Sequence, residues 1–180
     1  MKKIFVLLSV LLFTNCVENP QQKEVAIQQT AQLIHLKTTT LDTHNDIDVK
    51  NFTDSLNYSQ NTDTQVNLPK MQAGALDVSW FIVYTKQGDL TPEGYKKAAD
   101  NAQSKFDAIR RLTEIYAPTK IGLATSSAEL DSLRKMSKKV AMIGVENAYP
   151  IGLDTASVKR YYDMGARYMS LAHNGHNQFS

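Results

Sequence analysis

The segment Leu41–Asp46 reads LDTHND, with Asp42, His44 and Asp46 at every second position. On a strand that period puts all three side chains on one face. Carboxylates gathered there are costly unless something neutralises them, and an imidazole beside them makes the group fit for a divalent cation. Imidazole with carboxylate suits Zn²⁺, Mn²⁺ or Fe²⁺, zinc being the commonest. His44 and Asp46 read as ligands, and Asp42 as a partner that orients one of them. A D-x-H-x-D pattern alone also suits a solvated strand end, so its weight depends on what the rest of the chain brings to it.

Two further positions point the same way. Glu146 closes the apolar run VAMIGVE, and His173 closes YMSLAH. Each stands at the C-terminal end of an expected strand, as His44 and Asp46 do. In a closed barrel of parallel strands those ends converge on one rim, where the chemistry of such folds is found. The nearby His176 reads as a loop residue, His35 as structural, and the pair Tyr161–Tyr162 as packing.

The elements needed to position these residues are legible in outline. Val25, Ile27, Ala31, Leu33 and Ile34 give a helix from about Lys23 to His35. LKTTTLDTHND is rich in β-branched threonine and reads as a strand. Residues 50–66 are mostly Asn, Asp, Ser, Thr and Gln and read as a long loop. ALDVSWFIVYT is nearly continuous apolar sequence, as in a strand covered on both faces. Thr91 and Pro92 then open a helix of about six turns that carries apolar residues from Tyr95 to Tyr116 and stops at Pro118. A short strand KIGLATSS, a helix capped by Ser126 or Ser127, a strand from Val140, a helix opened by Asp154 or Thr155 and stopped at Gly165, and a fifth strand complete the chain. Strands alternating with helices mean parallel pairing through crossovers. The candidates are a (β/α)₈ barrel and an open doubly wound sheet, and no G-x-G-x-x-G follows the first strand to favour a dinucleotide fold.

The 180 residues suffice for one medium domain, and 42% hydrophobic with 21% charged residues is an ordinary globular composition. Lys2 and Lys3 account for the net charge of +2. A balanced remainder gives no basic face for nucleic acid, so no nucleic-acid partner is expected. Residues 1–16 read as an export signal. Two lysines precede the apolar core IFVLLSVLLF, which is too short to span a bilayer, and Cys16, the single cysteine, follows it. A cysteine so placed resembles a bacterial lipoprotein processing site, where it is lipidated and becomes the first residue of the mature chain. Asn15 before it is less usual there than Gly or Ala. Residues 17–22 read as a polar tether, and 23–180 as the folded part. The expected location is exported, held to a membrane by the lipid, on the periplasmic or outer-membrane face.

From about Leu33 onward the chain resembles the membrane dipeptidases of metallopeptidase family M19. LDTHNDI, NLPKMQAGALDVSWFIVYT, IGVENAYPIG and YDMGARYMSLAHNGHN carry the resemblance in this order and spacing. It implies a (β/α)₈ TIM barrel of the amidohydrolase type with two zinc ions. It implies further that His44 and Asp46 are ligands, that Glu146 bridges the ions, and that His173 contacts substrate near the scissile carbonyl. The implied reaction is hydrolysis of a dipeptide by a hydroxide shared between the metals, with His173 helping to hold the oxyanion. Many members read Glu-Gly-Gly where this chain reads Glu146-Asn147-Ala148. The family takes two more histidine ligands, an arginine and an aspartate from later strands, and members are often dimers. Such a chain is expected to be the N-terminal part of a longer barrel, truncated after about five strands, and inactive alone. A different metal-dependent amidohydrolase acting on lactams or cyclic amides, and a non-catalytic exported binding lipoprotein, are the other readings open at this stage.

Overall fold

The computed structural model describes residues 19–180. The export signal, Cys16 and the first two residues of the tether lie outside the described residues. The described residues fall into two units, 19–38 and 39–180.

The described part of the first unit is helix α1, Pro20–Lys37. It begins three residues before the apolar pattern becomes legible. Asn19 accepts from the Gln21 N–H, and Pro20 sits in the first turn, where its missing N–H costs nothing.

The second unit is built on five parallel strands: β1 (Leu41–Asp46), β2 (Val78–Tyr84), β3 (Ile121–Leu123), β4 (Lys139–Glu146) and β5 (Ala166–Met169). Between them lie helices α2 (Leu68–Ala73), α3 (Pro92–Arg111), α4 (Ser127–Lys135) and α5 (Ala156–Asp163). The caps are those the residue types dictate. Thr91 accepts from Gly94 at the start of α3, and Ser126 from Glu129 at the start of α4. Glu129 reaches back to the Thr125 N–H at 2.7 Å, the reciprocal arrangement of a capping box shifted by one residue. α3 runs into a single π-helical turn, Leu112–Tyr116, before Pro118.

The strand order differs from simple succession. β2 lies between β1 and β4, pairing with β4 along seven residues from Val78–Val140 to Tyr84–Glu146. β3 pairs with Lys139–Ala141 and β5 with Ile143–Val145. Both segments of β4 also pair with β2, so β3 and β5 share its opposite edge, β3 at the start and β5 further along. The path runs β1-β2-β4-β3, with β3 a three-residue strand at the foot of β4 and β5 branching from β4 further along.

Two layers of packing hold the sheet. One face of β2 and β4 presents Phe81, Val83, Ala141, Ile143 and Val145 to Phe106 and Ile109 of α3 and to Tyr161 of α5, all buried. The other presents Val78, Val140 and Met142, packed with Trp80 and with Leu130 and Leu133 of α4. α3 and α4 thus serve opposite faces. That arrangement explains the unbroken apolar sequence of both central strands.

The polar run 50–66 contains no long element, yet it is anchored. Phe52 and Tyr58 are buried with ring centres 4.4 Å apart, and Tyr58 meets Phe81 edge-on at 6.2 Å. Asn and Thr side chains close its turns. Thr53 bonds Leu56, and Asn57 bonds Ser59 and the Thr53 carbonyl. The composition reads as loop because those residues bond backbone locally, while two aromatics pin the loop to the core.

Candidate metal centre

The face of the sheet that carries Val78, Trp80 and Ile82 ends, on β2, in Tyr84. Glu146 is its register partner on β4 and shares that face. On β1 the route to the same face goes through an irregularity. Asp42 pairs with Ser79, but Asn45 pairs with Phe81 and Asp46 with Ile82. Two residues, Thr43 and His44, therefore stand opposite the single Trp80, as in a β-bulge. Past this bulge His44 and Asp46 point to the face of Ile82 and Glu146, and Asn45 turns away to donate to the Ser79 hydroxyl at 3.0 Å.

The same bulge removes Asp42 from the group. Its partner Ser79 and Asp46's partner Ile82 are three residues apart on β2 and so face opposite sides. The Asp42 carboxylate accepts instead from the His44 backbone N–H at 3.0 Å. It fastens the bulge and does not share the face of His44, Asp46 and Glu146, as strict alternation would have it.

Donor atoms of His44, Asp46 and Glu146 lie within 4.8 Å of one another. His44 Nε2 is 3.3 Å from Glu146 Oε2 and 3.9 Å from Asp46 Oδ2. The Glu146 side chain is only 18% exposed, whereas those of His44 and Asp46 are 47% and 64% exposed. The group is a cup with a half-buried carboxylate floor and an open mouth. His173 stands four residues beyond the end of β5, in the following loop, and still reaches the floor. Its Nε2 lies 3.4 Å from Glu146 Oε1. The two oxygens of Glu146 thus serve two imidazoles. His176 is exposed and outside this group.

The surroundings fix these side chains. The Tyr84 ring meets His173 edge-on, centres 5.0 Å apart. Tyr168 of β5 lies across Gly144, where a methyl group would come within 2.1 Å of its ring. From there it stacks on Trp80 at 5.1 Å and donates to the Thr43 carbonyl beside His44. Burial pushes the Tyr168 phenol up, with the negative charges of Glu146 and Asp46 adding to the effect. Asn147, next to Glu146, is fully buried with φ +74°. Its side chain donates to the Thr85 carbonyl and accepts from the Tyr149 N–H and from Asn177. It ties the ends of β2 and β4 to the loop beyond His173.

One charged residue near the group has no precedent in the strand-end pattern. Lys105 lies on the buried side of α3 at 9% exposure, its Nζ 5.6 Å from the Tyr84 ring centre. Burial lowers its pKa from the usual lysine range, and the charges of Asp46, Asp48 and Glu146 pull it back up. In the sequence it falls among apolar positions of an amphipathic helix. The only signal available there is a lysine at a helix position next to a core phenylalanine.

The sequence model of the membrane dipeptidase family, peptidase family M19, matches residues 28–180. An uncharacterized dipeptidase of Schizosaccharomyces pombe is 24% identical over 181 aligned positions, covering 91% of this chain and 42% of that protein. The solved structure of the probable dipeptidase PvdM from Pseudomonas aeruginosa superposes with a TM-score of 0.77 at 19% identity, covering 88% of this chain and 40% of that one. A metallopeptidase from Rhodobacter sphaeroides, solved with a phosphinate mimic of the dipeptide L-Ala-D-Ala, superposes with a TM-score of 0.63 at 16% identity, covering 77% and 46%. These likenesses show the fold, a (β/α)₈ barrel of which this chain supplies part. The chain spans less than half the length of each of these proteins.

Proposed function

The chain belongs to the membrane dipeptidase family, peptidase family M19, and from that premise we propose that the protein it comes from hydrolyses dipeptides at a two-zinc centre built on His44, Asp46 and Glu146. One observation carries this reading. Donor atoms from β1 and β4, a hundred residues apart in sequence, lie within 4.8 Å of one another. Nothing in packing requires that. Two carboxylates so close repel each other, and a cation is the economical remedy.

The donor set fits the ion. An imidazole nitrogen and carboxylate oxygens are ordinary zinc ligands. Glu146 offers one oxygen toward His44 and the other toward His173, which suits a carboxylate shared between two ions. When bound, divalent ions supply Lewis acidity and a water acidic enough to attack near neutral pH. The chain's own residues do the rest. Asp46 and His44 border the open mouth through which a small peptide enters. His173, steadied by Tyr84, offers an N–H to the oxygen that gains charge as the peptide carbonyl becomes tetrahedral. Trp80, Tyr168 and Met142 form an apolar floor on the same face.

The test is release of free amino acids from L-Ala-D-Ala by the complete natural protein, followed with and without a chelator. Turnover should vanish with the chelator and return with Zn²⁺. Three protein donors can hold one ion with an open position, not two, so the 180-residue chain alone should show no turnover. Chelator-insensitive release, or none from the zinc-loaded complete protein, would sink the reading.

Export and lipid attachment at Cys16 belong to the same proposal, supported by the two lysines, the apolar core and the lone cysteine. In a bacterial host the protein should partition into detergent with the membrane fraction. A Cys16→Ala variant should lose that partition, and a variant that keeps it would show the cysteine to be incidental.

A further inference from the structure

We propose that the cleft beside the metal centre, floored by Lys105, receives an acidic side chain of the substrate, so that the preferred dipeptides carry aspartate or glutamate. This rests on the dipeptidase reading and adds a specificity to it.

Lys105 occupies an apolar setting on α3. Its neighbours on α3, Ala102, Phe106, Ala108 and Ile109, are all fully buried. An apolar side chain would fill position 105 at less cost than an ammonium group, whose desolvation must be offset by a partner. Among the described residues no carboxylate lies within 4.0 Å of it; the ion pairs of other lysines are with Asp77, Asp100 and Asp163. The face of the Tyr84 ring at 5.6 Å is its nearest compensation, and a cation–π contact returns only part of the loss. The remaining compensation is the longer-range field of Asp46, Asp48 and Glu146. Once Asp46 and Glu146 serve cations, their part of that field is offset and only that of Asp48 remains. Lys105 is then a positive charge on a buried stem, its ammonium open to the cleft and ready to take an anion.

The space for that anion is present. Lys105 lines an open cleft together with Tyr84, Lys86, Lys97 and Tyr149. Asp89 and Glu93 also line it, both exposed, whereas Lys105 is buried along its stem. Tyr84 joins the cleft to the centre, since its ring face lies under the Lys105 ammonium and the ring packs against His173. A glutamyl side chain reaches roughly 5 Å from its Cα. The Tyr84 ring centre lies 5.0 Å from the His173 ring and 5.6 Å from the Lys105 ammonium, and an acidic side chain of a peptide held at His173 extends into that interval.

The experiment compares kcat/KM for Ala-Glu and Ala-Gln, and for Asp-Ala and Asn-Ala, using the zinc-loaded complete protein. One of the acidic members should exceed its amide by about tenfold, the worth of one charge-assisted hydrogen bond. Lys105→Met, nearly equal in length, should collapse that ratio toward one, and Lys105→Arg should keep part of it. A second readout needs no turnover. The wild-type protein is treated with an amine-acylating reagent, and labelling of Lys105 is followed by peptide mass. Glutarate should slow that labelling about fivefold or more, and glutaramide should not. Ratios near one in the wild type, a ratio unchanged in Lys105→Met, or equal protection by glutaramide would overturn the proposal. If no dipeptide is cleaved, the dipeptidase reading fails, and the labelling result still decides for or against an anion site in the cleft. If Lys105→Met does not fold, the wild-type ratio and the labelling decide.

Discussion

Glu146→Gln should lower dipeptide turnover by the complete protein by about three orders of magnitude or more, while leaving the fold intact. The size follows from what the carboxylate does. Its two oxygens lie at 3.3 and 3.4 Å from the imidazoles of His44 and His173, so it reaches both halves of the centre. An amide has the same shape but no charge, and one of its two positions becomes a donor. It cannot be shared between two cations. Metal-derived stabilisation of the transition state is several kcal/mol, and each 1.36 kcal/mol is tenfold in rate. Zinc content after dialysis should fall in parallel with turnover. The thermal melt separates this from a folding defect. In zinc-free protein Glu146 repels Asp46 but also faces the imidazoles of His44 and His173; these effects oppose each other, so the neutral variant should melt within a few degrees of the wild type. Wild-type zinc content together with wild-type turnover would remove Glu146 from the centre. A large fall in melting temperature without zinc would assign it to the fold instead.

How far the sequence carries one toward this site can be judged residue by residue. His44, Asp46, Glu146 and His173 stand out because parallel strands deliver their C-terminal ends to a common place, and strand ends can be read from apolar runs. Thr91, Pro92 and Ser126 stand out because capping is local chemistry. What stays hidden is non-local. The period of two counts Asp42 with His44 and Asp46, and only the pairing with β2 reveals the bulge at Thr43–His44 that turns it away. KIGLATSS reads as a strand like the others. That it is a three-residue prop on the edge of β4, leaving β4 to pair directly with β2, depends on partners the local sequence does not name. Phe52 and Tyr58 are concealed in a run of polar residues. Lys105 is concealed by its type, since a lysine on an amphipathic helix is ordinarily assigned to solvent. In each case the deciding term is a contact across tens of residues, which propensity and periodicity do not encode.

Asn147 gives the second large effect, on stability. Its backbone is in the left-handed region, φ +74°, where a side chain with a Cβ costs about 1–2 kcal/mol and Asn is better tolerated than most. Its amide is buried and engaged on both atoms: Nδ2 donates to the Thr85 carbonyl at 3.0 Å, and Oδ1 accepts from Tyr149 N–H at 3.2 Å and from Asn177 at 2.8 Å. Asn147→Ala removes these bonds, leaves buried partners unsatisfied and keeps the backbone strain. A loss of about 3 kcal/mol in unfolding free energy is expected. Asn147→Gly relieves the strain alone and should recover about 1 kcal/mol of that loss. Denaturant melts of the three proteins should therefore rank wild type, then Gly, then Ala. Because the residue ties the end of β4 to Thr85 and to the loop beyond His173, both variants should also bind zinc more weakly, by about 10–100-fold, as loss of a group that holds a ligand in place does. A Gly variant as stable as the wild type would show that the three bonds contribute nothing. An Ala variant as stable as the Gly variant would show that the left-handed backbone carries no strain. Unchanged zinc affinity in both would mean that Glu146 is held in place by its own strand alone.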